Sequence, residues 1–235
     1  MNFILPNYKI LTEIDGDKIL KNLERAIRVA HKSEDLIKEK SAEAIVRRIV
    51  HDLKHESTIE HENISARIIC DRGVSHEIVR HRLASYTQES TRYCNYAKDK
   101  FNAQLTYIIP SWLDENLKKY LLAGNARDSL DTFDQDGVVG IKDEGRAAFV
   151  VWWAGMHQAE INYFNLIEHG WTPEKARSVL PNSLKTEIIM TANLREWRHF
   201  FTMRTDRAAH PQMREIAVPM LAEFKEKIPI IFEDI

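Results

Sequence analysis

The sequence predicts an α+β fold, because segments with the pattern of strands occur along the same chain as segments with the pattern of long helices. Apolar residues recur every three to four positions in residues 15–30 and 146–169, as expected for helices that bury one face. The chain has 235 residues, which suits a single domain spanning residues 1–235. Strand patterns, alternating or rich in β-branched residues, lie at residues 8–14, 63–71, 105–110 and 186–192.

The composition is that of a globular protein, with 44% hydrophobic and 29% charged residues. No run of about 18 apolar residues occurs, so we expect no membrane span, and residues 1–10 lack the pattern of a signal peptide. The two cysteines form no C-x-x-C pair, which excludes a disulfide scaffold and favours reduced thiols in the cytoplasm. A net charge of −2 gives no net attraction to nucleic acid.

Two helices are predicted after the first strand. Ser41 is a good N-cap for the second, residues 42–55. The residues expected to be buried are Ile19, Leu20, Leu23, Ala26 and Ile27 in the first helix and Ile45, Ile49 and Leu53 in the second.

His51 and His55 lie four apart near the end of the second helix, a spacing that can bind a metal, with Glu60 or His61 as a third ligand. The zinc protease motif needs glutamate after the first histidine, and this chain has Asp52. We therefore predict no metal and favour helix capping and a ligand pocket.

The strand 63–71 should bury Ile64, Ala66, Ile68 and Cys70. We then expect a turn at 72–74 and a helix from Ser75 to Leu83, followed by a loop from Ser85 to Ser90. Arg80 and Arg82, two apart on that helix, would point in different directions.

The helix 146–169 should end at Gly170, and its aromatic stripe predicts core packing or an oligomer face. Pro173 should open a helix over 173–180, and Asn193 should cap a helix with Arg195 and His199 on one face. Six acids, two bases and nearby glycines predict a mobile surface loop at 127–145.

The stretch from Arg80 to Arg92 holds three arginines, one histidine and two serines within thirteen residues. Arginine forks and serine hydroxyls match phosphate oxygens, so the stretch predicts an anion-binding site. The alternative is a solvated charged face. Apolar residues flank the stretch and acid partners at helical spacing are lacking, which favours the ligand site.

The string R-H-R-x-x-S-x-x-x-x-S-x-R, from Arg80 to Arg92, resembles the signature of the flavin-dependent thymidylate synthases at every fixed position. The resemblance extends from about His55 to the last helix. It implies an antiparallel sheet with long helices, and a homotetramer with sites between subunits. It also implies reductive methylation of deoxyuridylate (dUMP) to thymidylate (dTMP), with methylenetetrahydrofolate as carbon donor and NADPH as reductant through FAD.

The same resemblance implies roles for individual residues. Arg204 would be catalytic, stabilising charge on the uracil ring, and Arg177 would reach the nucleotide phosphate from another subunit. Gln-Glu-Ser-Thr-Arg stands at 88–92 where other members show Glu-Leu-Ser-Gly-Arg. The implied dUMP-binding residues are Glu77, Arg80, Gln88, Glu89, Ser90, Thr91, Arg92, Arg177 and Arg204.

The implied flavin site includes His199 where members often have asparagine, and a purely structural role for His199 is an equal alternative. The chain has no G-x-G-x-x-G motif, so a Rossmann site is absent and the flavin must bind in another way. The implied FAD-binding residues are His55, Ser57, Glu60, Arg80, His81, Arg82, Gln88, Asn193, Arg195, His199 and His210.

Two functions from other classes compete with the enzyme. A nucleic-acid-binding module could use the same arginines on phosphates, but the near-neutral charge speaks against it. A structural oligomer built on the aromatic helix would leave the Arg80–Arg92 string unexplained.

Overall fold

The computed structural model of the chain describes residues 1–98, 101–126 and 143–235. Within these, the chain divides into two compact units. The first unit comprises Met1–Asn7, Ile69–Glu77 and Gln88–Ile188, and the second comprises Tyr8–Ile68, Ile78–Thr87 and Ile189–Ile235.

The described elements are a mixture of strands and helices, as the α+β prediction requires. No helix in these ranges is both long enough and apolar enough to cross a bilayer. The strands are β1 Asn2–Ile4, β2 Asn7–Ile10, β3 Asn63–Asp71, β4 Ala84–Gln88, β5 Thr106–Ile108 and β6 Lys185–Asn193. The helices are α1 Gly16–His31, α2 Ser41–Arg47, α3 Arg72–Ile78, α4 Glu115–Leu122, α5 Asp143–Glu168, α6 Pro173–Ala176, α7 Leu194–Arg204, α8 Pro211–Lys227 and α9 Pro229–Phe232.

Four strands form a sheet in the order β2-β3-β6-β4. Strands β3 and β6 are antiparallel, since the N–H of Arg72 bonds the carbonyl of Leu184 at 3.1 Å while that of Leu194 bonds Glu62 at 3.0 Å. This confirms the predicted antiparallel sheet. The first predicted strand is shorter than 8–14, and a separate parallel pair, β1 with β5, was not predicted.

Helix α1 matches its predicted bounds because Asp15 caps it, accepting the N–H of Lys18 at 3.0 Å. Of the five residues predicted to be buried, all but Ala26 are buried. Ala26 is half-buried, and Glu24, which was not predicted, is buried. Gly16, in its first turn, approaches the end of α8 closely. A Cβ at Gly16 would lie 2.4 Å from the carbonyl oxygen of Lys227.

The helix predicted over residues 42–55 differs from the observed structure. It consists of α2 followed by a π-helical turn, Arg48–Asp52. Ser41 is not its N-cap, because the Ser41 Oγ accepts the N–H of Lys38 at 2.9 Å and lies 2.7 Å from Glu24. Of the predicted face only Ile49 is buried, whereas Ile45 is half-buried and Leu53 is exposed; Val46 and Val50, on an adjacent apolar stripe, are buried instead.

Strand β3 buries the four residues predicted, but the segment after it was predicted wrongly. No turn precedes the helix: α3 starts at Arg72, because Asp71 Oδ1 accepts the N–H of Val74 at 2.7 Å. The helix ends at Ile78, so Arg80 and Arg82 lie beyond it.

The predicted loop from Ser85 to Ser90 is wrong in its first part, since residues 84–88 form β4. Strand β4 lies at the edge of the sheet beside β6. Polar side chains suit such an edge, which is why this strand lacks an apolar pattern in the sequence.

In the first unit, α5 buries Phe149 and Trp153 of its aromatic stripe, as the prediction of core packing requires, and Met156 beside them. Val150 and Ile161 are 38% and 39% exposed. Gly170 follows α5 with φ +86°, which confirms its capping role. Pro173 opens α6 as predicted, and a 3₁₀ turn, Arg177–Val179, continues it. Residues 143–145 belong to α5, and the rest of the predicted 127–145 loop lies outside the described residues.

Candidate functional site

The Arg80–Arg92 stretch is divided between the two units, with residues 80–87 in the second and 88–92 in the first. Each part therefore has its own surroundings. The implied nucleotide-binding residues lie mostly in the first unit, and most of the implied flavin-binding residues lie in the second.

In the first unit, residues 90–92 meet the turn that follows α6. Arg177 Nη1 donates to Thr91 Oγ1 at 3.4 Å, and the N–H of Arg92 donates to Ser90 Oγ at 3.3 Å. The Arg92 guanidinium forms an ion pair at 3.0 Å with Glu174, and both side chains are about half exposed. Exposed pairs of this kind are weak, so Arg92 can exchange Glu174 for another anion. We call Ser90, Thr91, Arg92 and Arg177 the anion cluster.

The contact of Arg177 with Thr91 is made within one chain. The resemblance implied an arginine from another subunit here. In this structure residues 90–92 and the α6 segment pack in the same unit, so Arg92 and Arg177 can act together without a second chain.

Glu89 and Gln88 have structural partners. Glu89 pairs with Lys185 at 2.7 Å and accepts the Tyr96 hydroxyl at 2.9 Å. Gln88 Nε2 donates to Ser75 Oγ at 2.9 Å and to Thr186 Oγ1 at 3.1 Å. Their side chains are thereby held in the first unit.

A cavity of about 430 Å³ opens beside Glu89. Among the implied nucleotide-binding residues, Glu89 alone contributes to its described lining, so the cavity lies beside the anion cluster and does not contain it. Its lining residues are Asn2, Glu89, Tyr96, Phe101, Asn102, Gln104, Thr106, Leu184 and Lys185.

In the second unit, α7 and the 3₁₀ segment Glu56–His61 form a cavity of about 520 Å³, within the usual range for ligand sites. Asn193 caps α7 by accepting the N–H of Glu196 at 2.9 Å, as predicted. Four implied flavin-binding residues line the cavity: Glu60, Asn193, Arg195 and His199. The others in its lining are Glu56, Leu83, Glu196, Arg198 and Thr202.

The two arginines of this cavity differ in availability. Arg195 contacts Glu60 at 2.6 Å, but the pair is 50% and 40% exposed, so water screens it and a ligand can displace it. Arg198 is buried and holds Asp234 with two hydrogen bonds of 2.7 and 2.9 Å. Arg195 is therefore the cationic donor available to a ligand, and Arg198 secures the C-terminal segment.

The donor set fits a flavin in its chemistry. Asn193 and Arg195 can donate, Glu56, Glu60 and Thr202 can accept, and the 71% exposed side chain of Leu83 offers an apolar surface. Such a mixture suits a heteroaromatic ring with both kinds of polar edge. The volume is enough for part of a dinucleotide.

His81 lies apart from the other signature residues because it is only 3% exposed. Its Nδ1 is 3.1 Å from Glu196 Oε1, and its Nε2 is 3.0 Å from Arg204 Nε. Arg204 is the last residue of α7. Burial first, then the positive charge of Arg204 and the neighbouring His199, lower the pKa of His81 from 6.5 to about 4.

His81, Glu196 and His199 also form a group whose ligand atoms lie within 4.8 Å of one another, the one such group among the described residues. The spacing of His51 and His55 could bind a metal, but the sequence predicted no metal there. His51 instead faces the C-terminal segment, with Nε2 2.5 Å from the carbonyl oxygen of Ile230.

Seven implied flavin-binding residues do not line the cavity of the second unit. His81 is buried, Gln88 belongs to the first unit, and the other five are exposed: His55, Ser57, Arg80, Arg82 and His210. Five lining residues were missed, namely Glu56, Leu83, Glu196, Arg198 and Thr202. A signal existed for three of them: Glu56 and Glu60 are four apart, and residues 195, 198 and 202 follow helical spacing.

Comparison with known proteins gives the family. A family model described as "Thymidylate synthase complementing protein" matches residues 12–230. This match covers most of the chain, so the protein belongs to that family, and the resemblance seen in the sequence is confirmed.

Curated relatives include proteins named flavin-dependent thymidylate synthase. The one from Pyrococcus furiosus is 34% identical over 174 residues, covering 74% of this chain and 59% of that protein. The one from Geobacter sulfurreducens is 32% identical over 186 residues, covering 79% and 66%. The one from Mycolicibacterium vanbaalenii is 29% identical over 233 residues, covering 97% and 84%. The matched part thus spans less than two thirds of the Pyrococcus relative.

Among solved structures, a UMP/dUMP methylase, PolB from Streptomyces cacaoi bound with 5-Br dUMP, has a similar fold. The TM-score is 0.71 at 23% identity, covering 99% of this chain and 96% of that one. At this identity the similarity concerns the fold.

Proposed function

We propose that the protein is an FAD-dependent thymidylate synthase. It would catalyse the reductive methylation of dUMP to dTMP, with methylenetetrahydrofolate as carbon donor and NADPH as reductant. The observation that carries the proposal is the family match over residues 12–230, which contains the whole Arg80–Arg92 signature. The two free cysteines are consistent with action in the cytoplasm.

The anion cluster would bind the dUMP phosphate. Ser90 and Thr91 supply hydroxyl donors, and Arg92 supplies a guanidinium whose present partner, Glu174, is exposed and replaceable. Arg177, within hydrogen-bond distance of Thr91, adds a second fork to the same cluster. The fixed planar geometry of two arginines orients the nucleotide as well as binding it.

Arg204 would act on the uracil ring. A guanidinium stays protonated at all working pH values, so it stabilises negative charge that develops on the ring without losing a proton. Its Nε donates to Nε2 of His81 at 3.0 Å, which fixes one edge of the guanidinium.

Asn193, Arg195, His199 and Glu60 would hold part of the flavin in the cavity of the second unit. When bound, FAD would pass reducing equivalents from NADPH to the nucleotide. The exposed residues His55, Ser57, Arg80, Arg82 and His210 remain predicted flavin contacts. The proposed assembly is a homotetramer.

The test is an assay of the purified protein with FAD, dUMP, methylenetetrahydrofolate and NADPH. We expect dTMP and tetrahydrofolate, because NADPH then supplies the electrons that reduce the transferred carbon to a methyl group. Formation of dihydrofolate would show that the folate itself is the reductant and would contradict the flavin route. No dTMP formation by protein that has bound FAD would contradict the methylation.

A matched pair of variants links this activity to the anion cluster. Arg92→Ala should raise KM for dUMP roughly tenfold or more, on the scale of a lost charged hydrogen bond. Arg25→Ala removes an exposed arginine of α1 and should leave KM unchanged.

A further inference from the structure

Helix α7 presents one continuous stripe to His81. Glu196, Phe200 and Arg204 lie four residues apart and so share a face of the helix. Glu196 meets His81 Nδ1 at 3.1 Å, the Phe200 ring lies 5.0 Å from the imidazole centre, and Arg204 meets Nε2 at 3.0 Å. The three α7 residues that contact the imidazole therefore span more than two turns of the helix.

The backbone of His81 is fixed as well. Its N–H donates to the carbonyl of Ile78 at 3.1 Å, and its carbonyl accepts the Tyr86 hydroxyl at 2.6 Å. The side chain thus starts from an anchored position and is almost fully buried. A side chain held in this way has little freedom to move, so it restricts the positions of the side chains hydrogen-bonded to it.

The tautomer of His81 follows from its partners. Arginine has only donors, so Nε2 of His81 must accept the bond from Arg204 Nε and can carry no proton. The proton of a neutral imidazole then resides on Nδ1, where it donates to the Glu196 carboxylate. A charged imidazolium would place an N–H against the N–H of Arg204.

We propose that His81 is a positioning residue: a neutral, Nδ1-protonated imidazole that links Arg204 to Glu196 and fixes the direction of the Arg204 guanidinium. The proposal rests on the proposed function for the role of Arg204, and it replaces a direct flavin contact by the His81 side chain. It also argues against a metal on His81, Glu196 and His199, because a metal on Nδ1 would displace the proton and force one onto Nε2.

Two substitutions separate the nitrogens of His81. The amide of glutamine reaches the position of Nε2 and can still accept from Arg204, whereas the shorter asparagine reaches only Nδ1. We expect His81→Asn to lower kcat roughly ten- to hundredfold, as for a misplaced reacting group, with KM for dUMP changed less. We expect His81→Gln to stay within about threefold of the parent protein. His31→Asn, an exposed histidine on α1, is the control.

Equal losses in His81→Asn and His81→Gln, or losses explained by a lower melting temperature, would overturn the proposal. If the parent protein makes no dTMP, the proposed function is wrong and the kinetic comparison cannot be made. The tautomer of His81 then tests the inference by itself. Long-range ¹H–¹⁵N spectra of histidine-labelled protein, with His81→Gln to assign the signal, should show Nδ1–H at pH 7. An Nε2–H form or an imidazolium would overturn it.

The pH dependence of stability gives an independent test of the neutral state of His81. The groups facing His81 are Glu196, His199 and Arg204 of α7 and Tyr86 of β4. Since the pKa of His81 is lowered from 6.5 to about 4, the unfolded chain binds the proton more readily, and stability is lost as pH falls through this window. His81→Gln should show a smaller loss of stability between pH 6.5 and 4, and an unchanged loss would count against the proposal.

Metal binding gives a further test. Binding of Co²⁺ to the parent protein that is abolished in His81→Asn would overturn the proposal.

Discussion

Arg204 joins two parts of the second unit, since it ends α7 and its Nε donates to the buried His81. If it stabilises charge on the uracil ring, Arg204→Ala should lower the methylation rate by roughly a hundredfold or more. Reduction of the bound flavin by NADPH should change far less, because the uracil ring takes no part in it. Stopped-flow absorbance measures the flavin step, and single-turnover dTMP formation measures the other.

A helix C-terminal arginine can also merely complement the helix dipole, a contribution of about 0.3–1 kcal/mol. The control is Arg207→Ala, an exposed arginine three residues beyond α7, which should leave both steps unchanged. Equal loss of both steps in Arg204→Ala, or an unfolded variant, would assign Arg204 a structural role.

Residues whose chemistry is local were predictable from the sequence. Asn193 caps α7, Cys70 is buried with a raised pKa caused first by burial, and Gly170 has positive φ. The three-dimensional partners were not predictable. Nothing in the sequence shows that His81, inside a charged string, would be buried between Glu196 and Arg204, since those contacts join residues more than a hundred positions apart.

At the level of elements, the strands and helices with strong patterns were predicted well. Strand β3 has the predicted bounds and alternation, and α1 lies within one residue of its predicted ends. Strand β4 was missed because its pairing with β6 decides its structure while its polar composition is typical of loops. The 42–55 helix was misassigned because two apolar stripes compete and its second part is π-helical.

The start of α3 gives a test at this scale. Asp71 Oδ1 accepts the N–H of Val74, so this short helix, which leads into the signature, begins under an aspartate cap. Asp71→Ala should lower the free energy of unfolding by about 0.5–2 kcal/mol, measured by urea denaturation. Asp71→Ser keeps a capping oxygen and should lose less. Equal losses for the two variants would show that the cap is unimportant.

At the scale of the whole molecule, the proposed homotetramer makes the origin of each site testable. The contact between Arg177 and Thr91 predicts that both arginines of the anion cluster come from one chain. Coexpressed Arg92→Ala and Arg177→Ala chains should then show no more activity than either variant alone, because every site lacks one arginine.

Light scattering must accompany this experiment, to show that mixed oligomers form. If the two arginines came from different chains, some mixed sites would contain both, and activity would be partly restored. Such complementation would contradict the single-chain anion cluster. A monomer with full activity at micromolar concentration would contradict the tetramer.

Gly16 shows how a position near the surface can be intolerant of substitution. It is half-buried and stands at the start of α1, where a helix usually accepts many residues. Even the single carbon of alanine would meet the carbonyl oxygen of Lys227 at 2.4 Å, and a backbone atom cannot turn aside as a side chain can. In a saturation map of the chain, Gly16 should therefore stand out as an intolerant position among permissive neighbours such as Asp17 and Lys18, both exposed.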